Sequence, residues 1–142
     1  MKKYIAIITL SVFSIANAIY LTLAAFSFKA NWAEKLFCDI NDTFSCSSLF
    51  SFDFAWIFGI PFPLIALCVY PIIAWIALYW IIKKSQKAFL AIMIIALCWM
   101  CFNWYIIYNE FQVWVFCPAC LACSASITTI AIISAFWRFY KN

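Results

Sequence analysis

Hydrophobic positions gather along this chain into four long runs, over 4–28, 60–82, 88–108 and 117–139, and polar positions collect between them. Each run reaches the roughly 20 residues that an α-helix needs to cross the hydrocarbon of a bilayer. The break "FGIPFP" opens the second run, and "KKSQK" and "NEFQVWVF" separate the later ones. The pattern predicts an all-α membrane protein: a four-transmembrane-helix bundle, one domain over 1–142, with a long outer loop at 29–59.

Charge sets the predicted orientation. Lys2 and Lys3 precede the first run, Lys83, Lys84 and Lys87 fill the second connection, and Arg138 and Lys141 end the chain. Alternating helices put these seven cations on one side, so both termini are expected in the cytoplasm. The opposite side receives Lys29 and Lys35 together with Glu34, Asp39, Asp42, Asp53 and Glu110. "MKK", an apolar stretch and "ANA" at 16–18 also imitate a cleaved signal peptide. The run continues to Phe28, however, and cleavage would spoil the charge alternation, so a retained first helix is expected.

Composition removes whole classes of chemistry. The chain is 70% hydrophobic and 10% charged, against about 45–50% and about 25% in soluble domains. It has no histidine, which excludes a Ser-His-Asp triad, a histidine base and His-ligated zinc or haem. The net charge of +4 sits beside the apolar runs. It fits the anionic leaflet of a membrane, with no nucleic-acid partner.

What remains reactive is eight cysteines. Cys68, Cys98 and Cys101 fall in mid-span, where a free cysteine behaves as a small apolar side chain, and packing is expected for them. Packing is also favoured for Cys123, although it shares a helical face with Cys120. Cys117 and Cys120 form a C-x-x-C at the predicted start of the fourth helix, within disulfide reach of one another. Pro118 suits the first helical position, which makes Cys117 the expected N-cap, and free amides at a helix start favour a thiolate. Cys38 and Cys46 bracket seven residues of the polar loop. Each pair could be a brace alone, but two dithiols on one membrane face suggest a relay, because exchange needs only a thiolate, a disulfide and an in-line approach. The electrons of such a relay suit a lipid-soluble quinone arriving laterally, and the aromatics Phe50, Phe54, Trp56, Phe58, Trp114 and Phe116 serve either its pocket or the interfacial belt.

Three stretches give the chain a family likeness: Cys38-x7-Cys46 followed by "SSLFSF", "FGIP" at 58–61, and "FCPACL" at 116–121. In this order and spacing they resemble the vitamin K epoxide reductase family in its bacterial form. The resemblance implies four helices around a quinone pocket, a loop pair that exchanges with a thioredoxin-like partner, and a helix pair that reduces quinone. Carried onto this sequence, Cys38 meets the partner, Cys46 passes electrons to Cys117, and Cys120 faces the quinone. Phe50 matches a pocket aromatic. The pocket asparagine and tyrosine of animal members fall on Trp75 and Ser124, which leaves Ser124 as the polar candidate beside Phe50 and Cys120. Where the family often has serine or threonine after the loop pair, this chain has Phe52, with Ser51 adjacent. A thioredoxin-like domain fused to this chain is not expected, and the partner is expected to be a separate periplasmic protein. Disulfide bond formation protein B follows similar logic with its pairs in the reverse order.

The expected function is therefore an inner-membrane thiol:quinone oxidoreductase using ubiquinone or menaquinone, with its redox cysteines on the periplasmic side. Two other classes compete. One is a soft-metal carrier for mercury or copper, built on Cys117, Cys120 and Cys123. The other is a structural subunit whose disulfides only brace the loop.

Overall fold

The structure is a computed structural model that describes residues 2–30, 39–84 and 86–140. Four long helices carry it: α1 (Lys2–Lys29), α3 (Phe62–Lys83), α4 (Gln86–Val113) and α5 (Pro118–Tyr140). A four-residue helix α2 (Cys46–Leu49), a 3₁₀ turn (Asp53–Ala55) and a hairpin of β1 (Trp56–Ile57) and β2 (Ile60–Pro61) fill the long connection. At 1.5 Å per residue even the shortest of the four, α3 with 22 residues, is about 33 Å long and matches the hydrocarbon thickness.

α1 packs on α3 and α5, and α4 packs on α5 and α3, so the four helices close a ring. α1 turns a small-residue face inward, with Ser11, Ser14, Ala18 and Ala25 all buried. Side chains this small let backbones approach closely, which is how helices associate where lipid is as apolar as the core. Tyr4, Tyr70, Ile73, Ile92, Trp99, Ile127 and Ile130 fill the interior, and Tyr4 stacks on Trp80 with ring centroids 3.6 Å apart. Outside the ring, large apolar side chains such as Phe13, Trp75, Ile94 and Phe136 stay exposed. Between 22% and 44% of each span is buried, so most of each helix offers apolar surface that only lipid can cover.

The ends of the helices differ from the runs by a few residues. α3 starts behind Pro61, with Pro63 in its first turn, and stops at Lys84 in the left-handed region (φ 51°), whose N–H bonds the carbonyl of Trp80. Pro71 sits inside α3 and has no N–H to donate to the carbonyl of Leu67 one turn earlier. α4 runs five residues beyond the apolar stretch that ends at Tyr108. "NEFQV" holds neither proline nor glycine, so nothing stops the helix until Trp114, which has φ 55°. The stretch 109–116, predicted as a loop, is thus mostly helix.

A second difference concerns the mid-span cysteines. Cys68, Cys98 and Cys101 are free and exposed on the outside of the ring, not packed within it. In the hairpin, Phe58 (φ 51°) and Gly59 (φ 79°) make the turn, as a two-residue connection with positive φ at both positions requires. Phe58 is left wholly exposed at its tip.

Candidate active site

The site is assembled where the long connection folds against the start of α5. Asn41 Oδ1 accepts the N–H groups of Thr43 and Phe44, both at 2.9 Å, and turns the chain. Phe44 then bridges to Phe116 in parallel. The N–H of Phe116 donates to the carbonyl of Thr43 at 2.7 Å, and the N–H of Ser45 to that of Phe116 at 2.9 Å. Ser45 caps α2, its Oγ accepting the Ser48 N–H at 3.2 Å, and also donates to Asp39 Oδ1 at 2.8 Å. A cysteine follows the bridge closely on each strand: Cys46, two residues after Phe44, opens α2, and Cys117, directly after Phe116, precedes α5.

The two sulfurs are consequently 3.0 Å apart and fully buried. That exceeds the roughly 2.05 Å of a disulfide bond and matches the separation of reacting atoms held ready for attack, about 3–3.5 Å. Cys46 is already in a disulfide, while Cys117 and Cys120 are free thiols. Cys38 lies outside the described residues. Cys117 acts as the N-cap of α5: its carbonyl accepts the first helical bond from Leu121 at 2.9 Å, and its sulfur accepts the Cys120 N–H at 3.3 Å. Leu49, Phe50, Ala55, Phe62 and Ile106 close around the cysteines.

Cys120 faces the other way as well. It lines a cavity inside the ring with Ala18 and Leu21 of α1, Phe62, Pro63, Ala66 and Tyr70 of α3, Trp99 and Asn103 of α4, and Cys123 of α5. The cavity has room for little more than a water molecule. Its walls are apolar with a few polar groups. The Tyr70 hydroxyl donates to the Cys123 carbonyl at 3.3 Å, Asn103 Nδ2 to the Trp99 carbonyl at 2.8 Å, and the Trp99 indole N–H has no acceptor among the described residues. Asn17 donates to the Ala119 carbonyl at 2.6 Å and to Cys123 Sγ at 3.0 Å, tying α1 to the thiol end of α5.

Comparison with protein families matches residues 5–135 to the vitamin K epoxide reductase family. The chain belongs to the vitamin K epoxide reductase family. As a member it is an oxidoreductase of the membrane, in a family that joins thiol chemistry to quinones. Comparison with curated proteins returned no match.

Of the residues singled out in this family member's sequence, the structure brings Cys46, Cys117 and Cys120 together in one buried cluster. Phe50 belongs to that cluster, stacked on Phe62 at 6.3 Å, and reaches the cavity only through Phe62. Ser124 Oγ lies 3.1 Å from Asn103 Oδ1 and 3.0 Å from the Cys120 carbonyl. It stands behind Asn103 and is not in the cavity wall. Trp75, at the position of the animal asparagine, is on the outer surface. Asn103, Tyr70 and Trp99 were missed. The available signal was Asn103 itself, because a polar amide within an apolar span is costly in lipid and so turns toward the bundle interior. Among the described residues no three Cys, Asp or Glu side chains converge as a metal-binding group, so Cys117, Cys120 and Cys123 do not form the cluster that a soft-metal carrier needs.

Proposed function

We propose that this protein is an inner-membrane thiol:quinone oxidoreductase that reoxidises a separate periplasmic thioredoxin-like protein and passes two electrons to ubiquinone or menaquinone. The observation that carries this reading is the 3.0 Å separation of Cys46 and Cys117, one on the loop and one at the mouth of a helix whose next cysteine lines an apolar cavity. The lysines at both termini and in the second connection support termini in the cytoplasm, which puts the four outer cysteines on the oxidising side, where dithiol relays operate.

In the proposed route Cys38 exchanges with the partner and shares a disulfide with Cys46. Reduced by the partner, Cys46 attacks Cys117 in a Cys117–Cys120 disulfide, and Cys38 then attacks Cys46 and frees Cys117. The outcome is a loop disulfide and a reduced helix pair. An oxidised Cys46 beside free Cys117 and Cys120 fits that stage. A quinone, when bound, accepts two electrons and two protons from the helix thiols. The chemistry of the cavity walls suits such a ring, although the cavity would have to widen to admit it: Phe62 and Ala66 offer apolar contact, and the Trp99 N–H, unpartnered among the described residues, and the Asn103 amide offer donors to its carbonyl oxygens.

The test supplies reduced thioredoxin-like protein and either quinone to the purified protein. Quinone reduction is expected from the native chain and lost in Cys120→Ala. A Cys120→Ala variant that reduces quinone at the native rate would show that the route is wrong.

A further inference from the structure

The last turn of α4 buries a carboxyl group that the electron route leaves unused. Glu110 is fully inaccessible, and neither Oε1 nor Oε2 has a hydrogen-bond partner among the described residues. The group faces the backbone N–H of Cys117 without closing a hydrogen bond, and it is near enough to Cys120 to act on it electrostatically. A leucine would fill this place without that cost, since a polar group buried without partners loses its hydration and regains nothing.

The two thiols of α5 are not equivalent. Cys117 has the Cys120 N–H pointing at its sulfur. Among the described residues no N–H donates to Cys120 Sγ, which is buried against the cavity. When a disulfide between them opens at Cys117, the electron pair is left on Cys120, a buried sulfur at which no N–H among the described residues is aimed. That sulfur needs a proton, and Glu110 is the buried carboxyl group whose charge reaches it.

We propose that Glu110 gives a proton to Cys120, and takes it back, during thiol–disulfide exchange on α5. This rests on the exchange between Cys46 and Cys117 proposed above. As the Cys46 thiolate attacks Cys117, a Cys46–Cys117 bond forms and the Cys117–Cys120 bond breaks with its pair on Cys120. The Glu110 carboxyl proton moves to that sulfur, leaving a neutral thiol and a carboxylate that faces the Cys117 N–H. In the reverse step Cys120 returns the proton as its sulfur attacks Cys117 and Cys46 departs as thiolate. No electron is gained or lost by Glu110.

The test needs no quinone. Fully oxidised protein is mixed with dithiothreitol, quenched with acid at intervals, alkylated, and both disulfides are quantified by mass. Glu110→Gln is expected to slow loss of the α5 disulfide about 100-fold, within the range for one proton-transfer group, and loss of the loop disulfide by no more than about twofold. Glu110→Asp, which keeps the proton on a shorter arm, is expected to restore the α5 rate to within about tenfold of native. A Gln variant at the native rate, or one that slows both disulfides equally, overturns the proposal. Should Glu110→Gln not fold, the Asp variant decides: selective slowing of the α5 step supports the role, and equal slowing of both disulfides overturns it. Native protein that passes no disulfide between loop and α5 sinks the underlying reading as well, whereas native exchange with an unaffected Gln variant sinks the role of Glu110 alone.

Discussion

The bridge between Phe44 and Phe116 sets a measurable quantity, the effective concentration of Cys46 at Cys117. The perturbation is the double substitution Cys38→Ser with Cys120→Ser, which leaves those two thiols without their neighbouring partners. One sulfur held within 3.0 Å of another occupies a sphere of roughly 110 Å³, equivalent to about 15 M before orientation is counted. A glutathione buffer of about 10 mM reduced and about 1 mM oxidised sets the competing scale at about 0.1 M. The ratio is about 150, or about 3 kcal/mol, so more than nine-tenths of the protein is expected to carry a Cys46–Cys117 bond. A loop free to wander on a flexible tether would give only millimolar effective concentration, and a few per cent linked. The assay is acid quenching, alkylation and mass mapping of the linked peptide. A linked fraction below one half would put the effective concentration at least about 100-fold under the geometric figure and refute the docked arrangement.

Two other outcomes follow from the site and the bundle. Asn103→Leu keeps the shape of the side chain and removes an amide from the cavity wall, so the KM for quinone is expected to rise about five- to tenfold, the worth of one neutral hydrogen bond, while Cys46–Cys117 exchange stays at the native rate. A fall in exchange to match would place Asn103 in structure and not in quinone binding. Cys68, Cys98 and Cys101 face outward, so a lipid-soluble maleimide is expected to label them well before Cys117, Cys120 and Cys123. Replacing all three by alanine should change stability by less than about 0.5 kcal/mol each, read by thermal unfolding in bicelles.

The four helices were legible because bilayer thickness fixes how long an apolar run must be, and nothing else makes runs of that length. Which face of each helix turns inward was not. Lipid is as apolar as the ring's interior, so hydropathy cannot separate Cys68, Cys98 and Cys101 on the outside from Ile73 and Ile127 inside. The C-x-x-C at a helix start announced Cys117 as a cap through Pro118 and helix geometry alone. The contact that brings Cys46 to it runs through backbone groups of Thr43, Ser45 and Phe116, whose side chains carry no mark of that pairing. Glu110 falls among the outward-side charges in the sequence because the apolar run ends at Tyr108. A helix ends where its backbone is forced to stop, here at Trp114, and the extra turn carried the carboxyl group inward. Asn103 carries no mark in the family likeness, which points to the second and fourth spans, and Tyr70 lies five residues before Trp75, the position on its own helix to which that likeness points.

Pro71 gives α3 a natural pin, because one backbone hydrogen bond is missing there. Phe62, Pro63, Ala66 and Tyr70, the whole contribution of α3 to the cavity wall, lie before it, and Ile73 and Ala77 lie after it in the same core as Ala66 and Tyr70. Phe62 is nine residues from the pin, so each 10° of bend there carries it roughly 2 Å. A bend at Pro71 would therefore move the α3 wall of a chamber that holds little more than a water molecule, and Phe62 would carry with it the contact it makes to the cluster around Cys46, Cys117 and Cys120.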